Sequence, residues 1–77
     1  MKRFTIEYYR ITGLGNMFFI GKDFAYDTKI IDTLINAGKT RCKKFLHKND
    51  NLIVLLKNEK DEVLDKYTFE PQEIKGE

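Results

Sequence analysis

KTRCKKFLHKND, Lys39 to Asp50, decides the architecture of this chain, because it reads both as the second half of a helix and as a strand. As a helix, Cys42, Phe45 and Leu46 extend the apolar stripe of Leu34, Ile35 and Gly38 at three- and four-residue steps. That helix runs to about Lys48, roughly 30 Å, and carries Gly38 in its interior at about 1 kcal/mol relative to alanine. As a strand, Arg41, Lys43, Phe45 and His47 share one face, with Cys42, Lys44 and Leu46 on the other. Gly38 then becomes the glycine that ends a helix of about ten residues, about 15 Å, beside strands of about 20 Å. The strand is preferred on these grounds.

The flanks are plainer. Toward the amino terminus, Arg3 to Ile11 alternates, with Phe4, Ile6 and Tyr8 on one side and Thr5, Glu7 and Tyr9 on the other. Thr12-Gly13-Leu14-Gly15-Asn16 supplies residues that tolerate positive φ, which predicts a hairpin into a second strand, Met17 to Ile20, ended by Gly21-Lys22-Asp23. Asp27 is placed to cap a helix from Thr28, with Ile30, Ile31, Leu34 and Ile35 on its apolar side. Toward the carboxy terminus, Leu52-Ile53-Val54-Leu55-Leu56 is apolar at both parities, the pattern of a central strand covered on more than one side. A polar turn over Asn58 to Asp61 leads to a last strand with Val63, Tyr67 and Phe69 at one parity, stopped by Pro71.

The prediction is an α+β two-layer domain over residues 1–71, an antiparallel sheet of four to five strands in ββαβββ order packed on one short helix, or ββαββ with the longer helix. Residues 72–77 are expected to form a short polar tail that frays. Seventy-seven residues hold one core, and six Phe and four Tyr give it enough bulk to fold unaided. So small a core has thin stability, which leaves a homodimer open.

Composition narrows the chemistry. The single cysteine, Cys42, excludes an internal disulfide and a multi-cysteine zinc site, and suits a reducing cytoplasm. The start, MKRFTIEYYRI, lacks the apolar run of a signal peptide, and no stretch approaches the roughly 20 residues of a membrane span, so the expectation is a cytoplasmic protein without membrane contact. Eleven Lys, eight Ile and five Asn against two Ala and three Arg suggest an AT-rich bacterial, phage or mobile-element genome.

Catalysis has little to build on. Gly38-Lys39-Thr40 reads GKT, but position 33 is Thr where a phosphate-binding loop needs Gly, and a helix runs into it where a strand is required. Cys42 and His47, the only histidine, are five residues apart, on opposite faces of a strand and about 140° apart on a helix, so they do not meet as a nucleophile and base. The acids Glu59, Asp61, Glu62 and Asp65 read as a solvated turn. No enzyme, no cofactor, no metal and no small-molecule substrate are expected.

Two surfaces are candidates for a partner. Residues 39–50 carry a net charge of +4, residues 57–77 a net −3, and residues 51–56 none. Nucleic acid is one partner that Lys39, Arg41, Lys43, Lys44 and Lys48 can hold through phosphates, with Phe45 or His47 available for stacking. The overall pI of 8.7 and the acidic end weigh against it. A single helix shields only one sheet face, so Ile53 and Leu55, with Tyr9, Phe19 and Leu64 as neighbours, are expected to form an uncovered apolar contact surface. The preferred reading is a small intracellular protein–protein interaction module, an inhibitor or self-associating factor of phage or mobile-element type, ahead of a nucleic-acid-binding accessory protein.

Overall fold

A computed structural model describes residues 2–74. Four strands, β1 (Phe4–Ile11), β2 (Met17–Ala25), β3 (Asn51–Lys57) and β4 (Val63–Phe69), form one antiparallel sheet in the order β2-β1-β3-β4. One helix, α1 (Ile31–Cys42), packs on one face, opened by a 3-10 turn at Thr28–Ile30 and closed by another at Lys43–Phe45. The α+β class and the two-layer arrangement therefore hold, with ββαββ as the element order.

The strand expected over Arg41 to Lys48 does not form: the segment is helical through Phe45. Both objections to a helix there lapse for physical reasons. The α-helical part is 12 residues, about 18 Å and comparable to the strands, and 3-10 turns carry the helical run on at each end to about the 30 Å that had counted against it, so length is no bar. Gly38 sits inside the helix because the ring of Tyr8 occupies the space a side chain needs: a Cβ at Gly38 would overlap Tyr8 Oη and Cζ. The glycine is the point of closest approach between helix and sheet. Close packing offsets its poor helix propensity.

That approach is pinned by polar contacts. The Tyr8 hydroxyl donates to Asp23 Oδ2 at 2.8 Å, with the Leu34 carbonyl at 3.1 Å as a further acceptor. Arg41 Nη2 reaches the same Asp23 oxygen at 2.9 Å, so one carboxylate on β2 holds both the buried ring and the helix. Burial, reinforced by Asp23, pushes the phenol far above its ordinary range and keeps its proton in place. Ile6, Tyr8, Leu52 and Val54 line the sheet side of the core, and Ile31, Ile35 and Cys42 the helix side.

Two strands depart from the expected pattern through bulges. β2 continues past Gly21 to Ala25, because Ile20 is an extra residue between the pairs Tyr8↔Gly21 and Tyr9↔Phe19. A bulge of this kind shifts side-chain parity, and glycine is a common marker of it. In β4 the register slips between Leu56 and Lys57, which pairs Lys57 with Val63 and leaves Leu64 unmatched. Asp65, Tyr67 and Phe69 then lie opposite Leu56, Val54 and Leu52, with Val63 displaced from their parity.

The turns follow their chemistry. Gly15 has φ +90°, and the Thr12 carbonyl accepts from Gly15 N at 2.9 Å, closing the first hairpin. Between β3 and β4, Asn58 Oδ1 accepts from Lys60 N and Glu62 N, each at 2.9 Å, which supports Asp61 at φ 67°. Past Pro71 the chain does not leave the domain as expected. Pro71–Glu73 forms a 3-10 turn and Ile74 is 2% exposed in the core, with Lys43 Nζ donating to its carbonyl at 2.8 Å. Of the expected tail, residues 75–77 lie outside the described residues.

Candidate functional site

Helical geometry disperses the basic cluster of the 39–48 segment. Lys39 and Arg41, two residues apart, point about 200° from one another. Lys39 Nζ lies 4.2 Å from the centre of the Phe69 ring on β4, while Arg41 turns to Asp23 on β2. Lys43 is held by the Ile74 carbonyl. Lys44 sits over Phe45, itself 48% exposed, and Lys48 and His47 are exposed in the loop that follows. The five cations thus point around the helix end and do not line one strip. His47 contributes its backbone to a tight turn: its N–H donates to Asp50 Oδ2 at 2.8 Å, and Arg10 reaches the same oxygen at 3.1 Å. These contacts hold the nearly buried Asp50 carboxyl below the usual carboxylate range, the His47 N–H first, then Arg10, against the upward push of burial.

Cys42 is 2% exposed among core side chains, and burial pushes its thiol up, away from the reactive thiolate. Cys42 and His47 are not brought together: one points into the core and the other lies in the exposed loop. No group of three or more His, Cys, Asp or Glu residues able to hold a metal occurs among the described residues.

The second surface is the sheet face turned away from α1. Strand register builds it in rows. Phe19, Tyr9, Ile53 and Thr68 stand side by side across all four strands, and the next row is Lys22, Glu7, Leu55 and Lys66. Beyond that come Phe24, Thr5, Lys57 and Val63. Four of the five residues expected on this face, Tyr9, Phe19, Ile53 and Leu55, are therefore brought together. Leu64 is not in these rows; it lines, with Lys2, Phe4 and Glu62, a groove of about 260 Å³ at the end of the sheet remote from the first hairpin.

The face is less apolar than the sequence suggested. Its centre is closed by its own side chains: Ile53 is 4% exposed and Thr5 6%. Over that floor, Tyr9 Oη donates to Glu7 Oε1 at 2.7 Å, and Lys57 Nζ pairs with the same oxygen at 3.0 Å. Burial pushes the Glu7 carboxyl up, but the Tyr9 hydroxyl and Lys57 ammonium outweigh it, so it is held below its ordinary value and stays ionised. The exposed rim is aromatic and basic. Phe19 is 56% exposed and meets Tyr9 edge-on, with ring centres 5.5 Å apart. Phe24 is 42% exposed, with the Arg3 guanidinium 5.2 Å and the Lys22 ammonium 5.4 Å from its ring centre.

Sequence reasoning missed Arg3, Lys22, Phe24 and Lys66. The bulge at Ile20 is the reason for two of them, since it reverses the parity of β2 between Phe19 and Lys22. Gly21 within an otherwise β-forming stretch was the available signal. Among the described residues one sheet and one α-helix make up the fold, and no second layer covers this face. No helix among the described residues is long and apolar enough to cross a membrane. Comparisons with protein-family models, curated proteins and solved structures find no match for this chain.

Proposed function

We propose that this chain is a non-enzymatic binding protein whose working surface is the outer face of its sheet. The observation that carries the reading is the combination of a closed floor and an exposed aromatic rim on a face that no second layer covers among the described residues. Phe19 and Phe24 remain 56% and 42% exposed although the core has apolar residues enough to fill it. Isolated exposed apolar residues such as Phe18, Tyr26 and Phe45 need no explanation, but Phe19, Tyr9 and Phe24 share one face and do. A non-catalytic role is supported by the separation of Cys42 from His47 and by the burial of the thiol. The apolar row of Phe19, Tyr9 and Ile53 is what favours a macromolecular partner, the protein–protein module expected from sequence being one form of it. The 39–48 segment is a weaker candidate, because Lys39, Arg41 and Lys43 are drawn to the sheet or the chain end.

Site-specific photo-crosslinking in cells tests this. Phe19→benzoylphenylalanine is expected to give discrete adducts on irradiation, and the same replacement at Asn36, exposed on the helix, none. Adducts of equal yield from both positions, or none from position 19, reject the outer face as the working surface.

A further inference from the structure

The charge of the outer face points to the chemistry of its partner. Lys22 and Lys66 stand at opposite ends of one row, three strand spacings or about 14 Å apart, on the two edge strands. Arg3 joins them beside Phe24. The one carboxylate in these rows, Glu7, is already compensated by Lys57 at 3.0 Å. What remains for a partner is three cations around two exposed rings and Tyr9.

A second copy of the chain is a poor occupant of such a face. Two copies placed face to face bring lysine against lysine at both edges, and like charges in apposition oppose association. A purely apolar protein surface leaves the same cations without counterions. A polyanion with flat faces satisfies both halves: bases stack on aromatic rings whatever their identity, while phosphates between them meet the cations. Exposed rings on an open sheet, edged by Lys and Arg, are the arrangement that this chemistry requires.

We propose that the outer sheet face binds single-stranded nucleic acid, with bases stacked on Phe19 and Phe24 along β2 and phosphates met by Lys22 between those rings, by Arg3 beside Phe24 and by Lys66 on the opposite edge. The proposal rests on the reading of this face as the working surface. It moves any nucleic-acid contact away from the 39–48 segment, where the density of basic residues in the sequence had located it. The acids of the β3–β4 turn lie outside the row from Lys22 to Lys66 but border the face: Asp61 acts on Lys57 and Tyr9, and Glu59 and Glu62 share a groove with Arg3, which leaves Lys22 and Lys66 as the principal phosphate contacts.

The test is a titration of the full chain into fluorescein-labelled single-stranded oligonucleotides of thymidine and of uridine, read by anisotropy. Up to three neutralised phosphates give a slope of log K against log salt of about −2, so affinity falls about 20-fold from 50 to 200 mM salt. Phe19→Ala is expected to weaken binding roughly tenfold without a change in fold by circular dichroism. Lys22→Glu with Lys66→Glu, which leaves Arg3, is expected to reduce that slope to about −1 or less in magnitude. Lys44→Glu with Lys48→Glu, at the helix end, is expected to change affinity less than about threefold, and a matched duplex to bind more weakly than the single strand.

Loss of binding in the Lys44/Lys48 variant with none in the Lys22/Lys66 variant overturns the proposal, as does duplex binding equal to single-strand binding. Absence of oligonucleotide binding overturns it too. In that event the crosslinking experiment still decides the broader reading: adducts from position 19 whose mobility is unchanged by nuclease keep the outer face as a binding surface with a protein partner.

Discussion

Gly38 shows how a single residue sets the distance between two layers. In an exposed helix interior, Gly→Ala is favourable by about 1 kcal/mol, so propensity alone predicts that Gly38→Ala is stabilising. The Tyr8 ring reverses the sign. A Cβ overlapping Tyr8 Oη and Cζ cannot be placed without lifting the helix or turning the ring off Asp23. Urea denaturation of Gly38→Ala is expected to show a loss of about 1–3 kcal/mol, the range for overpacked cores. Removing the hydroxyl alone is not expected to rescue it, because the ring carbons remain in place, and Tyr8→Phe with Gly38→Ala recovering full stability is the outcome that refutes this account. Asp50 is the other residue with a structural charge. Its folded-state value is depressed, so its contribution is fully present above the ordinary carboxylate value near 4 and disappears as pH falls through the lower folded value. Asp50→Asn is expected to lower stability at neutral pH and to flatten the acid limb of a stability–pH curve below about pH 4, since the group that protonates there is gone. An acid limb as steep as that of the parent assigns acid sensitivity to other groups.

At the scale of elements, the 39–45 segment was ambiguous because its apolar residues satisfy both periods. Cys42 and Leu46 fit a helix stripe at a four-residue step, and they also share the strand parity of Lys44. Tertiary contact resolves it: Cys42 is buried on the core side of the helix, and Arg41 and Lys43 reach anchors on opposite sides, Asp23 and the Ile74 carbonyl. A strand sends Arg41 and Lys43 to one face, where they cannot reach both. The chain end was misread for a related reason. Ile74 is a lone apolar residue in a polar stretch, with no periodicity to announce it, yet it fills the core beneath the end of α1. Ile74→Ala is expected to cost about 2–5 kcal/mol, as for other fully buried aliphatic truncations, and denaturant titration measures it. A change below about 0.5 kcal/mol is the signature of a peripheral, frayed position instead.

At the scale of the whole molecule, rings within the sheet divide by face. Tyr8, Tyr67 and Phe69 serve the core side and Tyr9, Phe19 and Phe24 the other, while Phe18, on the core-side parity of β2, is exposed at the sheet end. This division predicts a division of effects. Phe19→Ala is expected to change stability by less than about 1 kcal/mol because its ring is 56% exposed, whereas removing a core side chain such as Leu52, at 0% exposure, costs about 2–5 kcal/mol. Thermal melts of the two variants compare them directly, and a Phe19→Ala loss as large as that of Leu52→Ala assigns the outer rings to stability and leaves the face without a reserved function.

What the amino-acid sequence determined by itself is everything carried by local periodicity and turn chemistry. β1 is legible in the alternation from Phe4 to Ile11, β3 in the unbroken apolar run from Leu52 to Leu56, and the helix start in Asp27, whose Oδ1 accepts from Lys29 N at 2.9 Å. The α+β class, the central place of β3 and the open second face follow from those elements, as does the gathering of Tyr9, Phe19, Ile53 and Leu55. Only the tertiary structure decided the rest. The helical fate of 39–45, the interior place of Gly38 and the burial of Ile74 depend on contacts with Tyr8, Asp23 and the core, which are remote in sequence and leave no local period. The bulges at Ile20 and Leu64 shifted which residues share a face, so the basic and aromatic character of the outer face came from register and not from composition.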